Sequence, residues 1–164
     1  MRFLIISYSE IDGVGQHVIN LNLNLKNMGH QSKVLLLHKY KDYDEDIIKI
    51  KRSFFLRMIF LVLEFFKKNF KDLFSFGNST IKYNSIKQYI DEAEVIIIYS
   101  MHKILSFNML EKIFKTQKIV YLRPLDWEFA TGGCHLNILN NGEQCNKFHS
   151  NCNKCPQLNF LNFF

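Results

Sequence analysis

The chain opens on a short apolar run, Arg2 to Ser7, that ends in a polar turn, as expected of a strand buried in a parallel sheet. The turn Glu10-Ile11-Asp12-Gly13-Val14-Gly15 supplies two glycines and a carboxylate. Val14, Val18, Leu21, Leu25 and Met28 then recur at spacings of four, three, four and three, which places them on one helical face. Gly29 stands where a left-handed C-cap belongs. A second apolar run, Lys33 to His38, predicts another buried strand. Strand, glycine turn, helix and strand in succession predict a βαβ unit and hence a parallel sheet.

The middle of the chain is less regular. Lys39 to Arg52 mixes both charge signs and reads as a surface loop or an edge strand. Phe54 to Phe66 is almost wholly apolar, interrupted by Arg57 and Glu64, and Lys67, Lys68 and Lys71 follow among further phenylalanines. This run is shorter than the roughly 20 residues a membrane-spanning helix needs. It predicts a long helix packed on the sheet; the alternative is an amphipathic segment, Phe54–Phe76, resting on the anionic inner face of a membrane. The alternation of element types then resumes. Ile81 to Ile90 predicts a helix, Glu94 to Ser100 a buried strand, Ile104 to Phe114 a helix, and Lys118 to Leu122 a further strand. After Pro124 the periodicity stops. The fold class expected is α/β, a Rossmann-like doubly wound parallel sheet, with an irregular cysteine-rich loop at the C-terminus.

Composition narrows the function classes. At 164 residues and with nearly half of them apolar, the chain has the material for one real core. The net charge of +6 fits an anionic partner. No basic arm and no aromatic–basic alternation is present, so no nucleic-acid partner is expected. The opening apolar run is cut off by Ser7, Ser9, Glu10 and Asp12, too early for a secretory signal, and a cytoplasmic location is expected. Cysteines are kept reduced there.

Four cysteines, Cys134, Cys145, Cys152 and Cys155, fall in the irregular segment, the last two as Cys-Asn-Lys-Cys. A C-x-x-C turn lets two thiolates face one ion, and four thiolates in a reducing compartment suit a structural, tetrahedral zinc. His135 or His149 is the alternative to one of the cysteines as ligand, and disulfides or free thiols are the alternatives to zinc. A redox role fits less well, because Pro156 follows the second cysteine where a helix should begin.

Two segments carry the remaining chemistry. Gly13-Val14-Gly15 would let backbone approach a ligand closely, with the N–H groups of a helix start behind it. It lacks the third glycine of the G-x-G-x-x-G signature and the Gly-Lys-Ser/Thr of a P-loop. Tyr121 to His135 lies just beyond the last strand, at the carboxyl edge where open α/β sheets bind ligands. Within it, Asp126 could act as a general base or bind a hydroxyl, and Arg123 could grip an anion or pair with Asp126.

Arg123-Pro124-Leu125-Asp126, Thr131-Gly132-Gly133-Cys134-His135, Cys145, and Cys152-Asn153-Lys154-Cys155-Pro156-Gln157-Leu158 resemble a subgroup of family 4 retaining glycosyltransferases that build bacterial surface polysaccharides. The first strand, the glycine turn and the Asn27-Met28-Gly29-His30 helix end are similar to the opening unit of that superfamily. The resemblance implies a GT-B enzyme of two Rossmann-like domains, with the acceptor on the first and the nucleotide-sugar on the second. Residues 1–125 would form the Rossmann-like acceptor-side domain and 126–164 its cysteine-rich region. Gly13, Val14 and Gly15 would face the donor phosphates. His102 and Arg123 would line the cleft, and Asp126 would be the carboxylate best placed for the acceptor hydroxyl. A retaining transferase does not require a dedicated protein base.

The second domain of that family, with the paired glutamates that hold the nucleotide-sugar, has no counterpart in these residues. The expectation is a truncated product, a split enzyme completed by a separate chain, or a degenerate remnant, inactive alone in each case. The acceptor expected is a polysaccharide or a lipid-linked saccharide. The competing readings are a non-catalytic, zinc-ordered interaction module and a membrane-surface adaptor working through Phe54–Phe76.

Overall fold

The computed structural model describes residues 1–11, 13–42, 44–65, 79–123, 143–146 and 149. Five strands and four helices follow one another along these residues: β1 (Arg2–Ser7), α1 (Gly13–Asn27), β2 (Gln31–Leu36), β3 (Ile47–Lys49), α2 (Phe54–Phe65), α3 (Asn84–Glu92), β4 (Val95–Ile98), α4 (Phe107–Phe114) and β5 (Ile119–Leu122). All strand pairs are parallel, in the order β3-β2-β1-β4-β5. The chain builds outward from β1 to β3, crosses back to place β4 on the other side of β1, and ends on β5. The strand order therefore reverses between β1 and β4, as in a Rossmann-like sheet.

Alternation along the strands sends apolar side chains to both faces. Leu4, Ile6, Leu35, Ile96 and Ile98 meet Ile86 and Ile90 of α3 and Met109, Leu110 and Ile113 of α4. Ile5, Val34 and Leu36 meet Val18 and Ile19 of α1 on the opposite face. Burial on both faces is why β1, β2 and β4 read in sequence as unbroken apolar runs.

Three details differ from the sequence expectation. The second strand begins two residues earlier and β3 adds a short strand inside the mixed-charge segment, as the edge-strand alternative allowed. Helix α1 turns Gly15, Val18, Ile19 and Asn22 inward, whereas Met28 is exposed because the helix has ended by then. Its end is a Schellman motif: His30 N–H donates to Leu25 O and Gly29 N–H to Lys26 O, with Gly29 at φ +80°. The third difference concerns α2. The helix is present, but among its described side chains only Phe60 is buried, Leu56 is half-buried, and Phe54, Phe55, Met58, Ile59, Leu61 and Val62 are exposed. The expectation of a helix packed on the sheet is corrected for the described part. Ser53 N–H bonds Thr80 O, and the side of α2 that turns inward is narrow. Among the described residues no helix is long and apolar enough to cross a membrane.

Candidate functional site at the carboxyl edge

The sheet register continues past the strand ends and brings the residues that follow four strands to one edge. His38 N–H donates to Tyr8 O, Tyr99 N–H to Ile6 O, and Arg123 N–H to Ile98 O, each at 2.8–2.9 Å. Tyr8, His38, Tyr99 and Arg123 thus stand in a row across the carboxyl ends of β1, β2, β4 and β5.

Two clusters form around the reversal point. On the side of α1, His17 lies 5.7 Å from the Tyr99 ring, and Arg123 sits over that ring at 5.3 Å and donates from Nη1 to the Tyr99 hydroxyl at 3.0 Å. On the other side Tyr8 lies between His38, at 4.9 Å, and His102, at 5.6 Å. Tyr40 stacks on His38 at 5.9 Å, and Phe60 meets His102 edge-on at 6.4 Å. The Arg52 guanidinium contacts both ring nitrogens of His38, at 3.1 Å from Nδ1. Lys103 Nζ lies 5.2 Å from the Phe60 ring.

His38 is held below its ordinary pKa of 6.5, first by burial, then by the positive charges of Arg52, Lys103 and Lys49. Its neutral form can accept the guanidinium hydrogen bond; its charged form cannot. Elsewhere several cations of the described surface meet carboxylates: Lys33–Glu92 at 2.8 Å, Lys26–Asp46 at 2.7 Å and Lys115–Glu111 at 2.6 Å. At the carboxyl edge Arg52 meets an imidazole and Arg123 a phenol. A depression at the amino edge, between Arg2, Gln31, Lys33, Tyr89 and Glu92, has its charges paired instead.

The turn carrying His102 and Lys103 is held in place by its neighbours. Lys103 adopts φ +61°, a left-handed conformation that costs a non-glycine residue about 1–2 kcal/mol. The Thr80 N–H and hydroxyl both donate to Lys103 O at 2.8 Å, and Leu105 N–H closes on Met101 O. A glycine would lie there with less strain but would bring no side chain to the edge.

In the glycine turn, Gly15 has a packing role. A Cβ on Gly15 would stand 2.3 Å from Glu10 C and 2.6 Å from Ser9 O, so the glycine lets α1 close against the loop after β1. Gly13 has open space around it and is exposed, and Val14 packs partly under the sheet. Of the sequence-predicted residues, Gly13, Val14, Gly15, His102 and Arg123 lie at this edge. Asp12, Asp126, Cys134, Cys152 and Cys155 fall outside the described residues, and Cys145 is half-buried. Arg123 is engaged by Tyr99. Among the described residues no three His, Cys, Asp or Glu side chains converge as a metal site.

Tyr8, His38, Tyr99 and Glu10 are among the residues at the edge that were not singled out from sequence. Glu10 is fully buried; its Oε1 accepts the backbone N–H groups of Tyr40 and of Lys41, the latter at 2.9 Å, and Oε2 has no hydrogen-bond partner among the described residues. It ties the loop after β1 to the loop after β2. The available signal was positional, since each residue lies one to four places beyond an apolar run. No family model, curated protein or solved structure matches the chain.

Proposed function

We propose that the chain is the acceptor-side domain of a GT-B sugar transferase, moving a sugar from a nucleotide-sugar to an anionic saccharide, polysaccharide or lipid-linked, in the cytoplasm. The observation that carries this reading is the concentration of aromatic and cationic side chains at the point where the strand order reverses. Tyr8, Tyr40 and Tyr99 offer flat faces for sugar rings, and His38, Arg52, His102 and Arg123 offer donors for hydroxyl and anionic groups. The resemblance of the Arg123–Asp126 and cysteine segments to family 4 glycosyltransferases points the same way.

In this reading His102 and Arg123 bind the acceptor, and Asp126 receives the acceptor hydroxyl. Gly13, Val14 and Gly15 face the donor phosphates, with Gly13 the most approachable of the three. A nucleotide-sugar-binding domain, in the same polypeptide or on a separate chain, completes the enzyme. Cys134, Cys145, Cys152 and Cys155 hold a structural zinc; four thiolates are the right donor set for it, and its contribution is to order the loop that borders the edge.

Saturation-transfer NMR and calorimetry with a sugar phosphate and with a lipid-linked saccharide test the assignment. Binding should weaken about tenfold in Arg123→Ala and in His102→Ala, each about 1.4 kcal/mol. Purified chain should release no nucleotide from any nucleotide-sugar. Saccharide binding that both variants leave unchanged, or turnover by the isolated chain, refutes the reading.

A further inference from the structure

Helix α2 has an inside and an outside of very different width. At 100° per residue, Phe54, Phe55, Met58, Ile59, Leu61 and Val62 fall within an arc of about 160°. All six are exposed, Phe54 at 80% and Phe55 at 70%. Phe60, at 6%, lies on the opposite side, where it meets His102 and Lys103 of the carboxyl edge. Among the described side chains of the helix Phe60 is the buried one, and an apolar face wider than most soluble helices bury is turned outward.

Charge identifies what fits this face. Arg57 borders the arc and Lys51 stands exposed just before the helix. Between positions 51 and 71 the sequence holds six Lys or Arg and one carboxylate, Glu64, a net +5 out of the chain's +6. A protein partner would need an apolar groove with acidic rims. A bilayer of anionic lipids supplies both features everywhere on its surface, and a broad apolar face with flanking cations is how helices lie in the interfacial plane. Each basic side chain near such a surface raises partition by on the order of fivefold.

We propose that α2 is a membrane-docking helix that inserts its outer face into the headgroup boundary of an anionic bilayer. Because Phe60 rests against His102, docking would bring the carboxyl edge of the sheet to the lipid surface. The proposal does not depend on the transferase assignment.

Co-sedimentation of the full chain with vesicles of phosphatidylcholine, alone or with about a third phosphatidylglycerol, tests it. The wild type should partition about tenfold or more better onto the anionic vesicles, and less at high salt. The double substitution Phe54→Ser, Phe55→Ser should lower that partition about tenfold or more, with unchanged circular dichroism and melting because neither side chain is in the core. Arg57→Glu should lower it on anionic vesicles only. Absence of binding by the wild type, or equal binding by the double variant, overturns the proposal. So does a dimer in gel filtration that the double variant dissolves without any vesicle binding, which would make a second copy the occupant. A double variant with a lower melting temperature and no vesicle binding in the wild type would assign the face to residues of this chain outside the described set.

Discussion

Gly15→Ala isolates the contact that closes α1 onto the candidate site. In an open helical position alanine is more stable than glycine by about 1 kcal/mol. At Gly15 the added methyl would stand 2.3 Å from Glu10 C, 2.4 Å from Glu10 Cα and 2.6 Å from Ser9 O. These are backbone atoms that cannot rotate away, and the loop they belong to is pinned by the Glu10 carboxylate to Tyr40 and Lys41. Overpacking of this kind costs typically 1–3 kcal/mol, and the rigid neighbours put it at the upper end. The propensity gain offsets only part, leaving a net loss of about 2 kcal/mol, or roughly 4–8 °C in melting temperature for a chain of this size. Gly13→Ala is the matched control. It adds the same methyl two residues earlier, meets nothing within 4 Å, and should change stability by zero to about 1 kcal/mol in the favourable direction. Urea denaturation followed by circular dichroism reads both, and unchanged m-values would show that the unfolded states are comparable. Gly15→Ala as stable as the wild type, or more so, would refute the close approach and return Gly15 to a purely ligand-facing role.

His38 provides a pH test. Its folded pKa lies below 6.5, so the unfolded chain binds more protons below that value; the contribution to stability is complete above pH 6.5 and is lost as pH falls towards the folded pKa. Thermal melts of the wild type should drop over that interval more steeply than those of His38→Gln, and parallel curves would count against the burial of His38 beside Arg52. Ile86→Ala, at a fully buried position between α3 and the sheet, should cost about 2–5 kcal/mol, while Met28→Ala, 70% exposed, should stay within about 0.5 kcal/mol; equal effects in urea titrations would contradict the burial pattern. Elemental analysis should find about one zinc per chain, lost on replacing Cys152 and Cys155 with Ser, and a folded, metal-free preparation would remove the zinc site.

The parallel sheet was legible because burial on both faces leaves an unmistakable mark. Leu4-Ile5-Ile6, Val34-Leu35-Leu36 and Val95-Ile96-Ile97-Ile98 each alternate between two cores and therefore carry no polar residue. Gly29 was legible for a local reason, its left-handed φ at a helix end. Where the decisive force is tertiary, the sequence was ambiguous. An apolar segment such as Phe54–Phe65 reads the same whether it is covered by the sheet or turned outward, because periodicity cannot distinguish between the two when nearly every position is apolar. The candidate site was partly legible. Arg123 and His102 could be placed by following strands, but the pairing of Arg123 with Tyr99 and of His38 with Arg52 joins residues 24 and 14 positions apart. Glu10 looked like an ordinary turn residue; only its burial distinguishes it.

Glu10 joins the loop after β1 to the loop after β2. A carboxylate removed from water is costly, and an apolar residue of similar volume would commonly serve stability as well or better. What an apolar residue could not do is accept the Tyr40 and Lys41 N–H groups, which join the loop after β1 to the loop after β2. Gly15 closes α1 over the same loop from the other side, and Gln16 Nε2 reaches Glu10 O at 3.3 Å. Glu10 is thus held from two sides, by the loop after β2 and by the start of α1. If the edge binds a ligand as proposed, bracing of the loops that carry Tyr8 and Tyr40 would lower the ordering cost of binding.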